Sequence, residues 1–323
     1  MTIASPELWI GTIAGLIGLL ALDFTVTRRP HDVSMREALG WTVFYLALPT
    51  AFGGYVWLAH GGTPALEFFT GYVVEKSLSV DNLFVFMLLL SAFAVPAALA
   101  QRVLLYGIAG ALVLRAVFIA AGAAMLQAGT WAFLLFGAIL IVTAAKILRD
   151  AVRGTGHEID IDRMRGVRLL RRFMPVTGEY EGARLTVLRY GRRALTPMAL
   201  VVAAVFMTDI VFAVDSVPAV YGVTADPYLV FTTNAFALLG LRALYFVLRE
   251  VLGRLRHLNH GLAVILAFIG AKLVLHWAHT VWPSVPEVPT PLSLVVIAAT
   301  LTTVTLTSLV ANARDRGDNL TPR

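Results

Sequence analysis

Residues 7–27, 37–59, 66–94, 102–125, 130–149, 196–221, 228–248, 257–279 and 291–311 form nine apolar stretches. As helices rising about 1.5 Å per residue, roughly 20 residues each suffice to cross a hydrocarbon layer about 30 Å thick. With no water to bond the backbone there, only helices and closed barrels can span. Barrel strands would read as short alternating segments, and none occur. Hydrophobic residues make up 58% of the 323 and charged residues 14%, against about 45–50% and about 25% in soluble domains. The chain therefore reads as an all-α membrane protein of about nine transmembrane helices, not a soluble enzyme or a disordered chain.

The connections fix the orientation. Residues 28–36 carry Arg28, Arg29 and Arg36, residues 150–195 carry ten Arg, residues 249–256 carry three, and the C-terminal end carries Arg314, Arg316 and Arg323. Residues 60–65, 126–129, 222–227 and 280–290 carry none. Of the 26 basic residues, only Lys76, Arg115, Lys146, Arg242 and Lys272 lie inside spans; Arg102 and Arg149 stand at span ends, and with the rest they all fall on the same alternate set of connections. The positive-inside rule then predicts an N-terminus outside, a C-terminus in the cytoplasm, and residence in a bacterial cytoplasmic (inner) membrane. Residues 1–8 lack the basic segment of a cleavable signal. The run MRGVRLLRRFMPVTGEYEG reads equally as an amphipathic stretch on the anionic leaflet or as a solvated loop.

Charges inside the spans recur in one order. The third stretch holds Glu75 and Asp81, followed by Arg115 and Lys146 in the next two; the sixth holds Asp209 and Asp215, followed by Arg242 and Lys272. Acid-x5-Asp, Arg, Lys is thus repeated once, an internal duplication of three helices. Three is odd, so the second copy enters the membrane from the opposite side, as in inverted-repeat transporters whose sites lie near the midplane. Six residues turn a regular helix through about 600°, about 120° short of alignment, over a rise of about 9 Å. For both acids of a pair to meet one site, the helix is expected to unwind, kink or lie across it. The overlong third stretch and Pro218 mark the expected interruptions.

Four ionised acids at mid-bilayer would cost about 10–14 kcal/mol without partners. Lys76, Arg115 and Arg242 supply three positive charges, so the site is expected to be one short of neutral and to take a proton or a metal ion. Lys76, Arg115 and Arg242 are the expected counter-ions. Candidate ligands are the four carboxylates with Asn82, Asn234, Thr208, Ser79, Ser216 and main-chain carbonyls. With no cysteine and no nearby histidine, this all-oxygen set suits Mn²⁺, Ca²⁺ or Mg²⁺ and argues against thiolate zinc or Cu(I). His276 and His279 lie at an outer span end and could form only a weak entry or exit site. Aspartyl intramembrane proteases also pair two membrane acids, but they use a GxGD word, and neither Asp209 nor Asp215 sits in one. No catalytic residue is expected, and the chain does not read as an enzyme.

The words GYVVEKSLSVDNLFVF at 71–86, TDIVFAVDSVPA at 208–219 and TTNAFALLGLRALYF at 232–246 closely resemble the TerC membrane family, named for tellurium resistance. RRFMPVTGEYEG at 171–182 is similar to it as well. The resemblance implies a bundle of the LysE superfamily with inverted three-helix repeats. It also implies manganese export or the loading of manganese onto exported enzymes. Glu75, Asp81, Asp209 and Asp215, with Asn82 and Asn234, are the matching metal positions. Tellurite is an anion and a poor match for four carboxylates.

The expected division is a two-helix segment at 1–63, a first repeat at 64–149, a cytoplasmic basic loop at 150–195, a second repeat at 196–279, and a last helix and tail at 280–323. The expected function is Mn²⁺ export with proton entry through the same carboxylates; Ca²⁺ and Mg²⁺ are the lesser candidates. The expected partners are a divalent ion, protons as coupling ion and the bilayer, with no nucleic acid; a homo-oligomer or exported-protein partners stay open. The rival readings are a scaffold supplying metal to exported proteins and an exporter of a small organic cation, which should need an aromatic cage or a helix-end anion site.

Overall fold

A computed structural model describes residues 2–26, 34–153, 168, 172, 175–189, 192–248 and 258–318. The elements run α1 (Pro6–Val26), α2 (Met35–His60), α3 (Gly62–Ala92), α4 (Ala97–Ala128), α5 (Trp131–Arg153), β1 (Thr186–Arg189), β2 (Arg192–Leu195), α6 (Pro197–Tyr221), α7 (Pro227–Leu239), α8 (Leu241–Leu248), α9 (Leu258–Val281) and α10 (Thr290–Asp318). Each predicted span falls on a helix, with the seventh split between α7 and α8. Seven helices (α1, α2, α4, α5, α6, α9 and α10) are singly long and apolar enough to cross a membrane, and α7 with α8, bent by 41° at their break, pass the same test together and make an eighth if the pair is one span. α3 misses on composition, not length: its 31 residues carry Glu67, Glu75, Lys76 and Asp81. It packs against α2, α6, α7 and α10. The chain is a multi-pass, all-α integral membrane protein.

The expected interruptions are not where the sequence put them. α3 runs unbroken past Glu75 and Asp81, and α6 past Asp209 and Asp215. Pro218 sits within the last turn of α6, where it removes the amide that would bond the Val214 carbonyl, but the helix continues to Tyr221 and Gly222 donates to the Pro218 carbonyl at 2.9 Å. The break falls instead at Gly240, between α7 and α8.

The helices pair in a reciprocal pattern. α3 packs on α7 and α4 on α6, while α3 packs on α6 and α5 most extensively on α9. Phe133 meets His276 (ring centroids 4.5 Å apart) and Gly137 meets Gly270, so α5 and α9 run antiparallel. A Cβ on Gly137 would lie 2.8 Å from the Gly270 carbonyl oxygen, so only glycine permits this backbone approach, as is common between membrane helices. Gly71 against Val220 and Phe86 against Phe212 likewise make α3 and α6 antiparallel.

The two ends of the bundle are distinct. At one, Asp226 accepts from the Thr2 hydroxyl (2.8 Å) and the Ile3 amide (2.6 Å), and Thr224 donates to Glu67 (2.6 Å). Gly61, at φ 91°, turns α2 into α3 within one residue there, a conformation that favours glycine. At the other end, the Tyr180 hydroxyl donates to the Phe93 carbonyl (2.8 Å), tying the 150–195 segment to the α3–α4 corner, and burial raises the Tyr180 pKa. This segment also holds an antiparallel hairpin, β1–β2, absent from the sequence expectation. Residues 164–167, 169–171 and 173–174 of the basic amphipathic run lie outside the described residues.

Candidate functional site

A continuous α3 puts Glu75, Ser79, Asn82 and Phe86 on one stripe, at i, i+4, i+7 and i+11. A continuous α6 does the same for Asp209, Phe212, Ala213 and Ser216. The Phe86–Phe212 ring contact joins the two stripes. Glu75, Ser79, Asn82, Asp209 and Ser216 are all buried. Each keeps a polar atom with no partner among the described residues: Glu75 Oε2, Ser79 Oγ, Asn82 Nδ2, Asp209 Oδ2 and Ser216 Oγ. Buried polar atoms are normally satisfied, so five orphans on two touching helix faces call for an explanation such as an absent ion or water.

Arg115 of α4 is the hub. Its guanidinium is buried; Nη1 donates to Glu75 Oε1 and to Asn234 Oδ1 of α7 (2.7 Å), and Nη2 donates to Asp209 Oδ1 at 3.5 Å. Asn234 is held by its own Nδ2, which donates to the Val230 carbonyl (2.9 Å) and turns Oδ1 toward the arginine. The guanidinium thus draws Glu75, Asp209 and Asn234 together from three helices. Two carboxylates against one guanidinium leave this cluster at −1.

The other expected site residues are placed differently. Asp81 lies on α3, and its side chain is outside the described residues. Asp215 is half-buried on α6, six residues beyond Asp209 and off the Asp209 stripe. Lys76 leaves the cluster and donates to the Ala237 carbonyl of α7 (3.3 Å). Arg242 pairs, among the described residues, with a different acid: its Nη2 donates to Asp23 of α1 at 2.8 Å, and both side chains are buried. Its Nη1 reaches Gln101 at 3.4 Å, and its guanidinium stacks 5.5 Å from the Trp41 ring centre. Asp23, alone in an apolar stretch, was the signal that sequence reasoning passed over.

Among the described residues, no three His, Asp or Glu side chains converge closely enough to hold a metal. The donors around Arg115 are nevertheless all hard oxygens, and two carboxylates each keep one oxygen unused. At the end of the bundle that holds Asp226, a cavity of about 420 Å³ is lined by Glu67, Thr224, Lys272, His276 and Glu287 among others. In it His276 Nδ1 lies 2.5 Å from Glu287 Oε1. His279 bonds the Val285 carbonyl instead.

The chain is similar to known proteins over most of its length. A protein of Myxococcus xanthus described as an uncharacterized membrane protein is 40% identical over 96% of this chain and 94% of its own. One of Mycobacterium tuberculosis (strain H37Rv), described in the same words, is 42% identical over 85% of this chain and 70% of its own. A protein of Escherichia coli (strain K12), described as a proposed membrane-bound redox modulator, Alx, is 39% identical over 85% of this chain and 87% of its own. No solved structure matches the chain. Residues 60–316, from the end of α2 into α10, match the model of the integral membrane protein TerC family, and the chain belongs to that family.

Proposed function

We propose that the chain is a transporter, not an enzyme, that exports Mn²⁺ across the cytoplasmic membrane, with protons as the coupling ion. The observation that carries this reading is the pair of buried carboxylates, Glu75 and Asp209, whose outer oxygens have no partner. Intramembrane acids are costly and persist where they line an ion or proton path. Glu75, Asp209 and Asn234 with Asn82, Ser79 and Ser216, joined by Asp81 and Asp215, offer oxygens and no soft ligand, which suits Mn²⁺ ahead of Ca²⁺ or Mg²⁺ only through geometry and availability. The chain has no cysteine, so a redox effect like that named for its relative cannot run through its own dithiols. It can run through the supply of a redox-active metal.

Residues 64–149 and 196–279 are, on this reading, inverted repeats about a midplane site. The antiparallel α3–α6 and α5–α9 pairs and the reciprocal α3–α7 and α4–α6 packing support it. The N-terminus faces out and the C-terminus faces the cytoplasm, in keeping with the separate grouping of basic and uncharged connections.

The test is manganese flux into proteoliposomes holding the purified chain alone, with Ca²⁺, Mg²⁺ and Zn²⁺ as competitors. Saturable Mn²⁺ flux that Glu75→Gln abolishes is the expected result. Folded protein that binds manganese but moves none would favour the metal-supplying scaffold instead.

A further inference from the structure

We propose that Arg115 is a tethered stand-in for the transported cation: its guanidinium and a divalent ion hold the Glu75–Asp209–Asn234 oxygens in turn, never together. This rests on the reading of that cluster as the cation site. Every hydrogen bond that the structure gives Arg115 goes to an oxygen of this cluster, Glu75 Oε1, Asn234 Oδ1 or Asp209 Oδ1. These acceptors point at the guanidinium, and among the described residues the orphaned Oε2 and Oδ2 are the carboxylate oxygens of Glu75 and Asp209 left over there. An ion reaching the site through those two oxygens and the orphaned Ser79 and Ser216 hydroxyls would still be under-coordinated, because hard divalent ions take about six or more oxygens. To complete its shell it draws on the oxygens Arg115 holds.

Charge points the same way. Arginine does not lose its proton in proteins, so it cannot give up its charge in place. The two carboxylates with the guanidinium sum to −1, with a divalent ion alone to 0, and with both cations to +1. In a buried site of low dielectric the neutral arrangement is favoured, and two cations on one pair of acids repel strongly. The Nε of Arg115 has no partner among the described residues, so the guanidinium is fastened by its two tips only, and the same contacts that an ion would replace are the ones that hold it. In this state the tethered cation occupies the centre between Glu75, Asp209 and Asn234. It also gives a transporter a way to release its ion, since the returning guanidinium displaces it.

The test measures binding apart from flux. Full-length protein in nanodiscs is titrated with MnCl₂ and free Mn²⁺ is read by electron paramagnetic resonance; flux is read in proteoliposomes. Arg115→Met should bind Mn²⁺ at least tenfold more tightly than the parent chain while flux falls at least tenfold, because release is lost. In Arg115→Ala, added guanidinium chloride should compete with Mn²⁺, at concentrations that leave the parent chain unaffected. Unchanged or weaker Mn²⁺ binding in Arg115→Met overturns the proposal. If the Met variant is not recovered as monodisperse protein, Arg115→Lys carries the test. Its shorter, single-point cation cannot bridge both acids, so it should bind Mn²⁺ severalfold more tightly than the parent, and equal affinity overturns the proposal. Glu75→Gln and Asp209→Asn separate the two ideas. Loss of binding in both with no tightening in the Arg115 variants leaves the cation site standing and removes the stand-in; undiminished binding in both removes the site itself.

Discussion

Replacing Asp23 by Asn should destabilise the bundle while leaving every residue of the Arg115 cluster in place. Asp23 and Arg242 are both buried and 2.8 Å apart. In soluble proteins, removing one partner of such a pair costs about 3–5 kcal/mol, because the other charge stays buried and bare. Hydrogen bonds inside membranes are weaker on average, about 0.6 and at most about 1.7 kcal/mol. Arg242 would keep Gln101 at 3.4 Å and the face of Trp41, a desolvated cation–π contact worth about 2 kcal/mol. The expected loss is therefore about 2–3 kcal/mol. The double change Asp23→Leu with Arg242→Met removes both charges and should fall within about 1 kcal/mol of the parent, as apolar replacement of buried pairs often does. Denaturant titration in mixed micelles, followed by tryptophan fluorescence with Trp41 beside the pair, reads the difference. A single-variant loss below about 0.5 kcal/mol, or a double variant as unstable as the single, would refute the pairing as the holder of Arg242.

Asp209→Asn should abolish manganese flux without lowering thermal stability, because it takes the Arg115 cluster from −1 to 0; a stability loss near that of Asp23→Asn would show that Asp209 is a structural partner only. Lys146 is exposed on α5, and Lys272 lines the cavity at the Asp226 end on the antiparallel α9. In a chain without native cysteine, Cys at 146 should react with an impermeant thiol reagent only from the cytoplasmic side and Cys at 272 only from outside. Labelling of both from one side would break the inverted relation.

The spans were legible because a bilayer forces each of them to be a long apolar run, and the acids were legible as exceptions to those runs. What the acids touch was not. The word acid-x5-Asp drew attention to Glu75 with Asp81 and to Asp209 with Asp215, and an interruption was then needed to bring each pair to one site. Unbroken helices instead use the neighbouring positions, Glu75 with Ser79 and Asn82 and Asp209 with Ser216, whose spacing was present in the same words. Arg242 was assigned to the acids by its place in the repeat, but its partner is 219 residues away in α1, a contact that no local pattern encodes. The β1–β2 hairpin was hidden because TVLR and RRAL lack alternation and carry arginines.

The Asp23–Arg242 pairing bears on how the proposed repeats would hold a cation. On that proposal two equivalent repeats bring two equivalent arginines, Arg115 and Arg242. If both reached Glu75 and Asp209, the cluster would sum to 0 with no ion present, and a divalent ion would find no net attraction. Asp23 neutralises Arg242 at a separate place, beside Gln101 and Trp41, and leaves the central pair with one guanidinium and a charge of −1. Asp23 lies in α1, before the segment 60–316 that matches the family model, as does Trp41 of α2. On the proposed reading the two leading helices therefore do more than add spans to a pair of repeats: they hold one arginine away, and so break the symmetry of charge that a duplication would otherwise impose on the site.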